Sequence, residues 1–171
     1  TLNWDAVKKS LTGTTLITVM TFMIISGAMA FSQILAFSGA TRGLVRLAVD
    51  LPLNPIMIMV AMQLVVLFMG CFMGPVSIMM ITLPMFMPIV YSLDFNPIWF
   101  GVIMLLNVEM SQTTPPFGMG LFVMKGVAPS DTTMGDIYKA GLPFLGCDAI
   151  VMALLIAFPT LALWLPGMIR G

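Results

Sequence analysis

EMSQTTPPFGMG, from Glu109 to Gly120, lies inside an apolar run long enough to cross a membrane. It cannot continue as regular helix. Pro115 and Pro116 both lack the amide hydrogen that a helix requires, and Pro116 drives Pro115 toward extended backbone. An unpaired backbone group in hydrocarbon costs several kcal/mol, so such a rupture persists only where protein or a wet cavity surrounds it. The freed carbonyls, with the hydroxyls of Ser111, Thr113 and Thr114 beside them, make an oxygen-rich place suited to a hard cation. The helix that resumes after Pro116 turns its first amides, carrying about half a positive charge, into the same gap. That end suits a carboxylate. Proline kinks that bind nothing are also common in membrane helices. A second interrupted segment about 40 residues earlier tips the balance toward a built site.

The composition agrees with a membrane setting. Hydrophobic residues make up 60% of the 171 and charged residues only 8%, against about 25% charged in soluble domains. Too little charge is present to cover a water-facing surface. The net charge of +0 points to no nucleic acid. There is no histidine, which excludes a histidine-based triad or zinc site within the chain, and no nucleophile-and-base pair is visible. An enzyme is not expected. Cys71 and Cys147 stand alone in apolar surroundings and read as small buried hydrophobes. The first residue is Thr1 and the chain opens without a signal-peptide layout, so a piece of a larger polypeptide is expected.

Outward from the break, the chain divides into five stretches. Residues 1–54 hold an apolar span, Leu11 to Phe37, and an interfacial connection in which Arg42 and Arg46 lie one helical turn apart. Residues 55–91 are too long for one crossing and carry FMGCFMGPVS at their midpoint. Two arms of about 15 residues reach only about 22 Å each. A re-entrant hairpin with its tip at Gly70 to Pro75 fits best, with two full crossings as the rival. Pro84 and Pro88 are expected to kink the returning arm. Residues 92–127 form the discontinuous helix, entered through the turn residues Asp94, Asn96 and Pro97, with Trp99 suited to headgroup depth. Residues 128–141 read as a polar loop, and residues 142–171 as a last transmembrane helix. Lys8, Lys9, Lys125 and Lys139 against Arg42, Arg46 and Arg170 weakly favour the lysine side as cytoplasmic.

NVEMSQTTPPFGMGLFV, preceded by FMGCFMGPVSIMMITLPMFMPIV and NPIWFGVIML, resembles the C-terminal half of the large (M, DctM-like) membrane subunit of tripartite ATP-independent periplasmic (TRAP) transporters. The resemblance covers most of the chain and is weakest before Gly39. It implies an all-α polytopic membrane protein, one inverted repeat of an elevator-type transporter with a re-entrant hairpin and a discontinuous helix. It also implies sodium-coupled uptake of an organic acid anion across the bacterial inner membrane, without a resident cofactor. The implied partners are the small (Q) membrane subunit, a periplasmic substrate-binding protein, the N-terminal half of the same subunit and the lipid bilayer. An ion channel, or a structural membrane subunit with no site of its own, are the alternatives.

Position by position, Thr114, Pro115, Pro116 and Gly118 match the family's TPP-x-G break, and Gly70 to Pro75 its hairpin tip. Gly70, Gly74, Ser111, Thr113, Thr114 and Gly118 are thus the expected ion-binding set, and Pro115, Pro116, Ser77 and Asn107 the expected substrate-binding set. Two departures stand out: Gly74 where the family often has aspartate, and Ser111–Gln112 where it often has glycine and an apolar residue. Glu109 is the one carboxylate deep in a predicted span, with a structural or proton-linked role. Gln63 is expected to bond a neighbouring helix and Asp148 to lie at an interface or helix pair.

Overall fold

The computed structural model describes residues 3–169; Thr1 and Arg170, the latter counted in the charge balance, lie outside them. Eight α-helices account for the described chain: α1 (Trp4–Ser38), α2 (Ala40–Asp50), α3 (Pro55–Gly70), α4 (Pro75–Ser92), α5 (Pro97–Thr113), α6 (Met119–Val127), α7 (Met134–Ala157) and α8 (Thr160–Ile169). Of these, α1, α4 and α7 are long and apolar enough to span a bilayer. The protein is a polytopic all-α membrane protein.

Local chemistry explains where the helices begin. Asn54 and Asn96 each precede a proline at the first helical position and accept a hydrogen bond from a following amide, Ile56 N at 3.0 Å and Ile98 N at 2.9 Å. The side chain replaces a carbonyl partner, and proline has no donor to lose there. α1 ends at Gly39, whose φ of 75° is left-handed backbone that glycine adopts without a Cβ penalty. The chain swings there into α2, which packs on α1 and α4 through Ala48 while Arg42 and Arg46 stay exposed.

The core gathers around α5. Phe100, Ile103, Met104 and Val108 meet Met59, Met62 and Val66 of α3 and Ile78, Ile89 and Val90 of α4. Most other apolar side chains are exposed, including nearly the whole of α1. In a membrane that surface is solvated by lipid or by other protein.

Several expectations are corrected. The polar stretch 128–141 is largely helix: α7 starts at Met134. Thr133 caps it, its hydroxyl oxygen accepting from Asp136 N at 3.3 Å while the Asp136 carboxylate accepts from Thr133 N at 3.0 Å. The last helix is not continuous either, because α7 stops before Pro159 and α8 follows. Pro159 has no amide to give the Leu155 carbonyl four residues earlier. Trp99 takes that place, donating its indole N–H to Leu155 O at 2.7 Å. Trp99 is therefore a buried link between α5 and the α7–α8 joint, not a headgroup anchor. Pro84 and Pro88 lie inside α4 without ending it. Cys71 is buried as expected, whereas Cys147 is exposed.

Candidate functional site

The two interruptions meet. Helix α3 ends at Gly70, residues 71–74 turn, and α4 begins at Pro75. Helix α5 ends at Thr113, and α6 resumes at Met119. Gly70 lies flat on Ser111, so that a Cβ added at Gly70 would fall inside the Ser111 side chain. Next along the chain, the Cys71 thiol faces the Thr114 carbonyl at 3.9 Å. One residue further, the Phe72 ring lies 5.2 Å from that of Phe117, centroid to centroid. Three successive residues of the hairpin tip thus touch three positions of the break.

The prolines set the chemistry at the end of α5. Helical donors for the carbonyls of Ser111 and Gln112 would come from residues 115 and 116, and both are proline. Thr114 N reaches Ser111 O only at 3.4 Å. Side chains cap the preceding carbonyls. Ser111 Oγ donates to Val108 O at 2.6 Å, Thr113 Oγ1 to Met110 O at 3.0 Å, and Thr114 Oγ1 to Met110 O at 2.8 Å. Each hydroxyl spends its O–H on that hydrogen bond and keeps its lone pairs as acceptors.

On the far side of the break, the α6 backbone crosses α5 closely. A Cβ on Gly118 would lie 2.8 Å from both the Gln112 carbonyl carbon and the Thr114 oxygen, and one on Gly120 would lie 3.1 Å from Gln112 O. Only glycine permits that approach at position 118. No side chain caps α6; Gly118 N donates to Thr114 O at 3.1 Å and Leu121 N to Gly118 O at 3.0 Å, which leaves the Met119 and Gly120 amides as its open donors. From the α7 side, Tyr138 donates to the Pro116 carbonyl at 2.9 Å. The Pro115–Pro116 peptide is cis. A cleft of about 590 Å³ runs from Thr113 between α6 and α7, with the apolar walls Leu121, Met124, Ile137 and Phe144.

Gly70, Ser111, Thr113, Thr114, Pro115, Pro116 and Gly118 therefore fall in one neighbourhood. Three expected residues do not join them, and Gly74, at the end of the hairpin tip, faces open space. A Cβ on Gly74 would meet nothing within 4 Å. Ser77 lines a groove of about 290 Å³ against Ile24, Gly27, Ala28 and Phe31 of α1. Asn107 is buried and donates to Gln63 O at 2.6 Å and Gln63 Oε1 at 2.8 Å, so its amide is engaged between α3 and α5. Gln63 does bond a neighbouring helix, as its sequence position led one to expect. Glu109 points to the outer face of α5 and is exposed. Cys71, Phe72, Phe117 and Tyr138 were not singled out from the sequence. Only the neighbourhood of Cys71 and Phe72 to Gly70 carried any signal, since aromatic and thiol side chains have many ordinary uses in apolar helices.

A hairpin tip seated on a ruptured helix defines a polytopic membrane protein with discontinuous helices. Residues 1–161 match the family described as "Tripartite ATP-independent periplasmic transporter, DctM component". The chain belongs to that family. It is 30% identical over 155 residues to the C4-dicarboxylate TRAP transporter large permease protein DctM of Vibrio cholerae, covering 91% of this chain and 34% of that protein. It is 28% identical over 154 residues to the sialic acid TRAP transporter large permease protein SiaM of the same organism, covering 90% and 36%. To the ectoine/5-hydroxyectoine TRAP transporter large permease protein UehC of Ruegeria pomeroyi it is 28% identical over 153 residues, covering 89% and 35%. The chain thus spans about a third of the length of these relatives.

Proposed function

We propose that this chain forms part of the large permease subunit of a TRAP transporter that takes up an organic acid anion with sodium across a bacterial inner membrane. The small membrane subunit, a periplasmic binding protein and an inverted N-terminal half are its partners, and the moving unit is an elevator. The observation that carries this proposal is the seating of Gly70, Cys71 and Phe72 on Ser111, Thr114 and Phe117. The hydroxyls of Ser111, Thr113 and Thr114 stand on the α5 side of that break and the uncapped start of α6 on the other. Sodium takes the oxygens, and the carboxylate of the substrate takes the amides.

The test is sodium-driven uptake by the full-length permease with its partner subunits, comparing wild type with Thr114→Val. Loss of one hydroxyl ligand raises the sodium concentration for half-maximal uptake about tenfold. Unchanged sodium dependence removes Thr114 from the ion site. Wild-type uptake that ignores sodium removes the coupling altogether.

We also propose that α3 and α4 form a re-entrant hairpin. The 16 residues of α3 correspond to about 24 Å, short of the roughly 30 Å hydrocarbon core, and the 18 of α4 to about 27 Å, near the lower limit for a crossing. A nitroxide on Gly74→Cys, in a background without Cys71 and Cys147, reports the depth of the tip. Midplane depth is expected; headgroup depth replaces the re-entrant hairpin with two full crossings.

A further inference from the structure

One side of α5 is a continuous buried surface; the other is bare. Trp99, Phe100, Ile103, Met104, Asn107, Val108, Met110 and Ser111 face the hairpin and α7. At 3.6 residues per turn, Ile98, Gly101, Leu105, Glu109 and Gln112 line up on the opposite side. Ile98 and Leu105 are exposed there, and a Cβ at Gly101 would meet nothing within 4 Å. Glu109 lies about 18 Å along the helix from Pro97, which, with the Asn96–Pro97 turn at one interface, is near the middle of a bilayer. It is exposed and forms no ion pair with any described residue. One turn on, Gln112 is half-buried against α6, its Nε2 enclosed by this chain's own atoms.

Three surroundings compete for this stripe. Lipid is costly, because a charged carboxylate at mid-depth costs about 2.5 kcal/mol or more against hydrocarbon. An open aqueous wall fits poorly with Ile98, Gly101 and Leu105, which make the first half of the stripe apolar and open to close approach. A second helix fits both halves. Gly101 lets its backbone come near, as small residues do between membrane helices. Near the break, a basic group answers Glu109. Relatives roughly three times as long as this chain supply ample further helices.

We infer that the Ile98–Gly101–Leu105–Glu109 stripe of α5 is an interface for a transmembrane helix outside this chain, which presents a lysine or arginine to Glu109. The test uses the intact protein in membranes. Glu109→Leu leaves the facing cation unpaired and lowers the thermal midpoint by roughly 6 °C or more, with Glu109→Asp retaining part of the loss. An unchanged or raised midpoint for Glu109→Leu overturns the inference, since a lipid-facing position gains from that change. Should Glu109→Leu fail to accumulate, a nitroxide on Leu105→Cys decides with Glu109 in place. Low collision with both dissolved oxygen and a water-soluble nickel chelate is expected. Ready collision with oxygen means lipid, ready collision with the chelate means an aqueous path, and either result overturns the interface.

Discussion

The indole N–H of Trp99 donates to the carbonyl of Leu155 at 2.7 Å, across 56 residues of sequence. That carbonyl is available because Pro159 cannot donate to it. A helix break in one part of the chain is thereby satisfied by a side chain from another, and α5 is fixed against the α7–α8 joint. Trp99→Phe keeps much of the apolar contact but strands the carbonyl, and is expected to destabilise the purified protein by about 1–3 kcal/mol. Pro159→Ala restores an amide at the right position, so the same tryptophan change costs less in that background. A double-mutant cycle on unfolding midpoints measures the difference; strict additivity would show that the indole is not covering for the missing amide.

Gly70 packs directly on Ser111, joining the hairpin tip to the break. Gly70→Ala forces a methyl group into Ser111, separating the two by an amount that costs about 1–3 kcal/mol in a packed site. Uptake by the full-length permease is expected to fall sharply. Ser111→Gly removes the obstructing side chain, so the double variant Gly70→Ala/Ser111→Gly recovers packing and part of the uptake. Equal loss in the single and double variants would mean that the tip acts by something other than this contact.

The interruptions themselves were legible in the sequence because their causes are local. Asn-Pro at 54–55 and 96–97, Gly-Pro at 74–75 and Pro-Pro at 115–116 each fix a helix end from within a few residues. What joins the pieces was not legible. Asn107 with Gln63, Tyr138 with Pro116 and Trp99 with Leu155 depend on which helix faces meet, and an apolar run rich in methionine has no strong periodicity to reveal its faces. The start of α7 is an intermediate case. Thr133 and Asp136 have capping-box spacing, but the polar composition around them argued for a loop. Pro159 carried the signal for the α7–α8 break and was passed over inside an otherwise apolar block.

Asn107 and Gln63 form a buried amide pair whose role is separable from transport. Asn107→Leu leaves Gln63 with unpaired groups in the core and is expected to destabilise by about 1–3 kcal/mol. Replacing both with leucine removes donor and acceptors together, so the double variant is closer to wild type than Asn107→Leu alone. Thermal unfolding measures stability, and substrate titration of uptake measures affinity. A change in substrate affinity in the double variant, with stability restored, would return Asn107 to the substrate site.

Gly118 and Gly74 make the last comparison, because both glycines sit at helix starts with negative φ and differ only in their surroundings. At Gly118 an added methyl group meets the Gln112 carbonyl carbon and Thr114 oxygen at 2.8 Å, and these are backbone atoms that cannot rotate aside. At Gly74 it meets nothing within 4 Å. Gly118→Ala is therefore expected to push α6 off the end of α5, widening the gap between the α5 hydroxyls and the start of α6. Uptake should be lost, together with about 1–3 kcal/mol of stability. Gly74→Ala should stay within about 0.5 kcal/mol of wild type, the range of surface changes that disturb no contact. Purified protein from both variants, compared by unfolding midpoint and by uptake after reconstitution, decides the matter. Equal behaviour of the two would mean that close crossing of α5 by α6 does not hold the break together.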